Sequence, residues 1–328
     1  MDKKLQESSL KFILGRITKD GSIGNIKTYE ELFDSVISLS KLKKLGEAKI
    51  ILNYIRQFQQ KEDNFILPKI KDETFFIEGF SDDGIYNPVF YLKSLLFYLK
   101  QTNDKKEVKL FLKSIQKALI YIKNHFCNDY LLMFDLFEGK KVFKAKENAV
   151  LISVCDYTDF LNFHGFIKEA DSLFMINERL TLGFERYFWN KKYDLVYDFD
   201  ELGNFNIISQ FEILDLLLEY DFNSDFIKKF MEKENKLFQT SCDLRYRLKY
   251  LMLKQKLKLP FEKELKSLSR YLKNFGENLV DKKYFDMDLE ISKSLNSIYE
   301  EEVVELKKEK KVLRNLNSIE IANLILGF

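Results

Sequence analysis

Apolar residues recur along this chain at intervals of three and four positions, which is the spacing of one face of an α-helix. One predicted helix illustrates the pattern with five residues near helical spacing: Leu32, Val36, Leu39, Leu42 and Leu45. The same spacing predicts about a dozen helices: 5–14, 29–45, 48–58, 86–100, 107–126, 147–163, 167–188, 207–220, 225–238, 244–257, 261–275, 287–298 and 319–326. Alternating strand patterns are few. The chain is therefore predicted to be all-α.

The connections between the predicted helices alternate in length. Short turns are predicted at Gly46, Asn103, Gly165 and Pro260, and mostly long connections separate them: 61–85, 127–146 and 189–205. In a ring of helical hairpins the short turns lie on one face and the long loops on the other. The alternation therefore favours an (α/α) toroid over a helical solenoid, whose units and loops are more uniform. A helical bundle is less compatible with this many short helices.

One long loop, 127–146, contains a group of residues suited to chemistry. Asp135, Glu138 and two intervening apolar residues precede Gly139. Long loops within compact helical proteins are often functional. Two interpretations of Glu138 remain open from the sequence: a catalytic acid, or a solvated carboxylate in a Lys-rich loop.

Charge and composition exclude several classes of function. The chain has 53 Lys and Arg against 51 Asp and Glu, a net charge of +2, so a nucleic-acid or anionic-membrane partner is not expected. A Lys-rich run over 307–314 is interpreted as a solvated loop or helix end. No apolar run approaches about 18 residues, and the N-terminus has no signal-like apolar stretch. We expect a cytoplasmic protein.

Cysteine and histidine usage gives no metal or nucleophile motif. Cys127, Cys155 and Cys242 lack C-x-x-C spacing, so neither a disulfide framework nor a zinc site is predicted. His125 and His164 lie far apart in sequence, which argues against a histidine metal site or a Ser/His triad. We expect no metal and no cofactor.

Four short motifs follow one another in an informative order. They are Ser9-Leu10-Lys11 with Asp20-Gly21-Ser22-Ile23, Phe33-Asp34-Ser35 ahead of Leu45-Gly46-Glu47-Ala48, Asp83-Gly84 before Tyr91-Leu92, and Asp135-Leu136-Phe137-Glu138. Together they resemble the glucoamylase family of glycoside hydrolases over most of the chain. The resemblance implies an (α/α)6 toroid of six helical hairpins, spanning 1–328 as a single domain without a separate N-terminal β-sandwich. It also implies a loop face that binds the end of an α-glucan.

The resemblance further implies an inverting hydrolysis that needs two carboxyl groups, about 6.5–9.5 Å apart, and no cofactor. Glu138 corresponds to the general acid. The general base is expected at Glu277 if its place in the family is found by counting helices. Counting residues back from the last helix favours Glu300, Glu301 or Glu302 instead. Four further residues are expected to bind substrate: Asp34, Asp83, Asp135 and Trp189. Trp189 with its neighbouring tyrosines can equally form a packing cluster without any ligand.

Three departures from the family pattern favour a second interpretation. Phe33 stands where the family has an arginine, Phe137 replaces the tryptophan of the acid motif, and Gly139 replaces its second glutamate. The alternative function is a catalytically degenerate toroid that serves as a carbohydrate-binding or scaffolding module. A terpenoid cyclase is disfavoured because its Asp-rich motif and repeated Gln-Trp segments are not evident. The sequence does not define the oligomeric state.

Overall fold

The structure, a computed structural model, describes residues 3–24, 29–59, 86–137, 140–190, 195–196, 213–218, 227–228, 231 and 244–265. Its helices are α1 (Lys3–Leu14), α2 (Tyr29–Lys41), α3 (Leu45–Gln57), α4 (Tyr86–Thr102), α5 (Lys105–Asn124), α6 (Ala145–Cys155), α7 (Thr158–Phe163), α8 (Ile167–Tyr187) and α9 (Leu244–Lys256). Its strands are β1 (Phe126–Cys127), β2 (Leu132–Met133), β3 (Asp135–Phe137), β4 (Lys140–Val142), β5 (Trp189–Asn190) and β6 (Leu195–Val196). The strands pair as three antiparallel two-stranded hairpins.

The described helices form three consecutive hairpins with an inner and an outer member. The inner helices α2, α4 and α6 pack side by side, and α3, α5 and α8 pack against them from outside. Burial explains the division, because α6 is buried at Ala145 and at every position from Glu147 to Cys155. A helix that is apolar nearly all round must be enclosed by others, whereas α5 and α8 bury one stripe and expose the opposite face.

The short turns of the three hairpins lie together on one face, as the alternation of connections predicts. Lys43 Nζ in the first turn donates to Gln101 Oε1 at the end of α4 over 2.7 Å. His164 Nε2 lies 3.1 Å from Asn103 Oδ1, which joins the third turn to the second. Asn103 has a φ of 48°, and Asp104 caps α5 by accepting a hydrogen bond from Lys106 N at 2.8 Å. The predicted tight turn and its capping residue are confirmed.

Two predicted helix boundaries are wrong. Gly46 does not break the chain, because it lies in the first turn of α3 and the turn comes earlier, at 42–44. There Lys43 adopts a φ of 60° and Lys44 N donates to Leu39 O over 2.8 Å, a helix-ending geometry that does not use the glycine. The segment predicted as one helix over 147–163 is two, since α6 ends at Cys155 and α7 begins at Thr158.

The connection 127–146 is more ordered than its prediction as a long loop. It contains β2, β3 and β4, and its first residue ends β1. The buried Asn148 of α6 fastens this segment to the inner helix. Its side chain accepts from Met133 N at 2.8 Å and donates to Met133 O at 3.1 Å and to Lys144 O at 2.8 Å. A buried amide with these partners holds the β3–β4 hairpin beside the beginning of α6.

No helix within the described part of the chain is both long and apolar enough to cross a membrane.

Candidate functional site

Asp34 is the sequence-predicted site residue whose position the structure defines most fully. It lies in the middle of the inner helix α2, next to the fully buried Phe33. Burial of Leu32, Phe33 and Val36 fixes the rotation of the helix. That rotation leaves Asp34 partly exposed on the helix surface.

Charged side chains on four helices interact electrostatically with this carboxyl. We call them, with Asp34, the mouth cluster: Glu30 and Asp34 of α2, Lys93 of α4, Lys146 of α6 and Lys249 of α9. The three lysines favour the ionised form of Asp34, and Glu30 opposes it. Residues far apart in the sequence therefore act on one carboxyl between the helices.

The pKa of Asp34 is raised to about 7. The first cause is desolvation, because protein atoms surround the carboxyl although solvent reaches part of the side chain. The second is the negative charge of Glu30, and the lysines only partly offset these two effects. Near neutral pH the carboxyl therefore carries its proton for a substantial part of the time.

Lys146 holds Glu30 in place. Its Nζ lies 2.7 Å from Glu30 Oε1 and 2.9 Å from Oε2. Desolvation by itself lowers the pKa of Lys146. The charge and hydrogen bond of Glu30, together with the charges of Glu147 and Asp34, more than offset that effect, so the pKa of Lys146 is raised. The ammonium therefore stays charged and bridges α6 to α2.

Aromatic rings support the cluster. Lys146 Nζ lies 5.8 Å from the ring centroid of Phe90, within the range of a cation–π contact. Phe90 also packs against Phe33, with their ring centroids 6.4 Å apart. Phe33 occupies the position where the resemblance has an arginine, and its side chain is part of the core.

Asp135 has structural contacts at the start of β3. Its Oδ1 accepts from Leu136 N at 2.9 Å, and its Oδ2 lies 3.4 Å from Lys144 Nζ. Lys144 Nζ also lies 3.7 Å from Glu147 Oε1 on α6. Asp135 is 7% exposed, so little of it is open to a ligand in this arrangement. It anchors the strand that leads toward Glu138.

The remaining predicted site residues are not defined by the described structure. Trp189 belongs to β5, which pairs with β6, and only its backbone is described. The others lie outside the described residues: Asp83, Glu138, Glu277, Glu300, Glu301 and Glu302. Their assignments stay predictions. Within the described residues, no group of three or more His, Cys, Asp or Glu side chains is placed to hold a metal ion.

Sequence reasoning missed Glu30 and the three lysines of the mouth cluster. A signal for Glu30 existed, because carboxylates four positions apart on a helix share one face. Nothing in the sequence pattern distinguishes Lys93, Lys146 or Lys249 from solvated surface lysines. Their role depends on the closure of the fold.

Comparison with known proteins identifies the fold class. No family model matches the chain, and no curated protein matches it. Solved structures do match, and they include glycoside hydrolases. The chain has an (α/α)6 toroid fold, so the predicted fold class is confirmed.

Two of the solved structures that match are described by their similarity to this chain. One is described as a novel alpha-amylase from Clostridium perfringens; the match has a TM-score of 0.65 at 13% identity and covers 98% of this chain and 96% of that one. The other is a family 105 glycoside hydrolase from C. acetobutylicum ATCC 824, with a TM-score of 0.46 at 15% identity over 66% of this chain and 65% of that one. At 13% identity the first similarity shows the fold alone, and function must be argued from the site.

Proposed function

We propose that this chain is an inverting glycoside hydrolase of glucoamylase type that acts on the ends of α-glucans or oligosaccharides, as a single toroid domain. The observation that carries the proposal is Asp34, a carboxyl with a raised pKa among side chains from four helices. Perturbed carboxyl groups concentrate at functional sites. The similarity of the whole chain to a structure described as an alpha-amylase supports the same class of substrate.

The proposed mechanism needs an acid and a base on opposite sides of the anomeric carbon. We assign the acid to Glu138 and the base to Glu277, with Glu300, Glu301 and Glu302 as the other candidates for the base. The acid protonates the departing glycosidic oxygen, and the base activates a water molecule that fits between the two carboxyl groups. No metal or organic cofactor takes part.

Contacts in the described residues hold the strand that precedes Glu138 in the sequence. Asp135 of β3 lies 3.4 Å from Lys144 Nζ, and Asn148 of α6 binds Met133 of β2, so both strands are held at the beginning of α6. Asp34, Asp83 and Trp189 are proposed to bind the sugar. Asp135 was predicted to do so as well, but its burial and its contact with Lys144 favour a role in holding β3. Catalysis of this kind needs the reacting groups to be held within a narrow geometry.

The test is the Glu138→Gln variant assayed for glucose release from maltooligosaccharides. We expect a loss of at least about 100-fold, the typical contribution of a general acid. The matched control is Glu178→Gln, which changes an exposed glutamate on the outer helix α8. Unchanged hydrolysis by Glu138→Gln would remove Glu138 from the mechanism.

A second function, a degenerate toroid that binds carbohydrate without cleaving it, is favoured by Phe33. This residue is 1% exposed and packs on Phe90, so it supplies no charged contact to a sugar where the family has an arginine. Incubation of the wild-type chain with several α-glucans separates the two functions. Turnover that yields a β-anomeric product would exclude the degenerate one.

A further inference from the structure

The outer face of α8, which we call the acidic face, combines exposed apolar and acidic side chains in a regular order. Four apolar residues on it are between 51% and 61% exposed: Ile167, Phe174, Met175 and Leu182. Three exposed acidic residues recur at intervals of seven: Asp171, Glu178 and Glu185. At 3.6 residues per turn, this acidic line lies between two lines of apolar residues, and the exposed Lys168 and Arg186 lie at its edge. A contiguous exposed patch of this kind marks an interaction surface.

The outer face of the neighbouring helix α5, which we call the basic face, has the opposite charge. The exposed charged residues of this helix are all lysines: Lys105, Lys106, Lys109, Lys113 and Lys123. Its one acidic residue, Glu107, is bound to Lys49 of α3 at 2.7 Å. Leu110 and Ile120 are each 48% exposed among these lysines. The basic face therefore offers apolar contacts as well as positive charge.

The two faces lie side by side on the outside of the ring. Gln116 Nε2 of α5 donates to Glu169 Oε1 of α8 over 2.7 Å, and Lys123 Nζ donates to Ser172 Oγ over 3.0 Å. Helices of 20 and 21 residues are each about 30 Å long, and two helices side by side are about 20 Å wide. Their outline of about 600 Å², before the relief of the side chains is added, approaches the roughly 800 Å² that each partner buries in a standard interface.

The charges of the two faces identify the partner as a second copy of this chain. In a dimer with a two-fold axis every contact occurs twice, so a chain with an acidic and a basic face side by side satisfies both faces against its own copy. A partner with a single charged face would satisfy only one of them. Complementary charges of this kind orient the partners and exclude wrong ones, while burial of the exposed apolar residues supplies affinity.

We propose that the chain forms a two-fold dimer in which the basic face of one protomer packs on the acidic face of its partner, and the reverse. A two-fold axis perpendicular to the helices makes α5 antiparallel to the partner's α8. With the centres of these two helices aligned, Lys113 lies opposite Glu178 of the partner subunit, and Lys106 lies opposite Glu185 of the partner subunit. Both pairs form together because the two lysines and the two glutamates are each seven residues apart.

The experiment is sedimentation velocity of the full chain between about 1 and 100 μM, where micromolar dimerisation is measurable. We expect the wild type to dimerise with micromolar or tighter affinity. Lys113→Glu and Glu178→Lys are each expected to weaken the dimer at least about tenfold, because each substitution places two like-charge pairs in the interface. The double variant restores opposite charges, and we expect its affinity to lie within about threefold of wild type.

A matched pair of variants controls for the change of charge itself. Glu7→Lys and Lys11→Glu make the same changes at exposed positions on α1, and we expect them to leave the dimer unchanged. Phe174→Ala combined with Leu182→Ala removes apolar area without altering the charge, and we expect at least about tenfold weaker dimerisation. Circular dichroism checks that each variant is folded.

Three results overturn the inference. One is a wild-type chain that stays monomeric at the highest concentration, which would leave the two faces to a different partner. Another is a dimer that the α5 and α8 variants weaken no more than the α1 controls, which would place the interface elsewhere. The third is a charge-swapped double variant that stays as weak as the single variants. None of these results affects the proposed hydrolysis, because the mouth cluster contains no residue of α5 or α8.

Discussion

The raised pKa of Asp34 predicts that this residue destabilises the folded chain at alkaline pH. Its pKa is 3.8 in an unperturbed carboxyl and about 7 in the fold. Between these values the folded chain holds a proton that the unfolded chain has released, so rising pH favours unfolding. The difference of about three pH units corresponds to about 4 kcal/mol at pH 8.

Asp34→Asn removes this cost, because the amide has no charged form. Solvent reaches part of the side chain, so we expect about 2 to 4 kcal/mol of stabilisation at pH 8. At pH 5 the cost of ionisation is only partly present, and the advantage of the variant falls to about 1 to 2 kcal/mol. A residue that reduces stability in this way fits the observation that functional sites often reduce stability.

The measurement is urea unfolding followed by circular dichroism at pH 5, 6, 7 and 8 for wild type and variant. Asp171→Asn serves as the control, because an exposed aspartate is expected to change the free energy of unfolding little at any of these pH values. The reasoning is refuted if the difference in unfolding free energy between wild type and Asp34→Asn is the same at all four pH values. Destabilisation by Asp34→Asn that grows with pH would refute it as well.

Three other substitutions test the surroundings of the site. Lys146→Met leaves Glu30 without its ammonium partner, so we expect a loss of about 3 kcal/mol and a further rise in the pKa of Asp34, measured by urea unfolding and carboxyl NMR titration. Asn148→Ala removes the three hydrogen bonds to β2 and Lys144, and we expect a cost of about 3 kcal/mol in the same assay. Gly183→Ala places a Cβ 2.5 Å from the Leu131 carbonyl oxygen, so we expect α8 to shift and the melting temperature to fall by several degrees. A variant as stable as wild type would show that the contact in question does not stabilise the fold.

The helical organisation was predictable because inner and outer helices carry different patterns. The outer helix α5 places Val108, Phe111 and Ile115 at helical spacing and exposes polar residues between them. The alternation of short and long connections then indicated a ring. These are local signals, and the burial of the helices follows from them directly.

The errors arose where tertiary contacts decide the local structure. Gly46 is tolerated inside α3 because Lys43 already takes the left-handed conformation that ends α2. The strands of 126–142 are two or three residues long, too short for an alternation to be recognised. They are fixed by Asn148, whose role no local pattern reveals.

The candidate site was predictable only in part, because tertiary contacts decide which charged residues meet there. The resemblance implied a substrate-binding role for Asp34, one of the four residues it assigned to the sugar. The lysines that surround it come from α4, α6 and α9, and only the closed fold brings them together. The raised pKa of Asp34 follows from desolvation and from Glu30, neither of which a motif comparison evaluates.

The most direct test of the proposed hydrolase is the anomer that the wild-type chain releases. Purified chain is mixed with maltotetraose at pH 6, and the first minutes of reaction are followed by proton NMR. We predict glucose that appears as the β-anomer and then mutarotates. Release of the α-anomer, or no glucose at any pH from 5 to 8, would contradict the proposal of an inverting glycoside hydrolase.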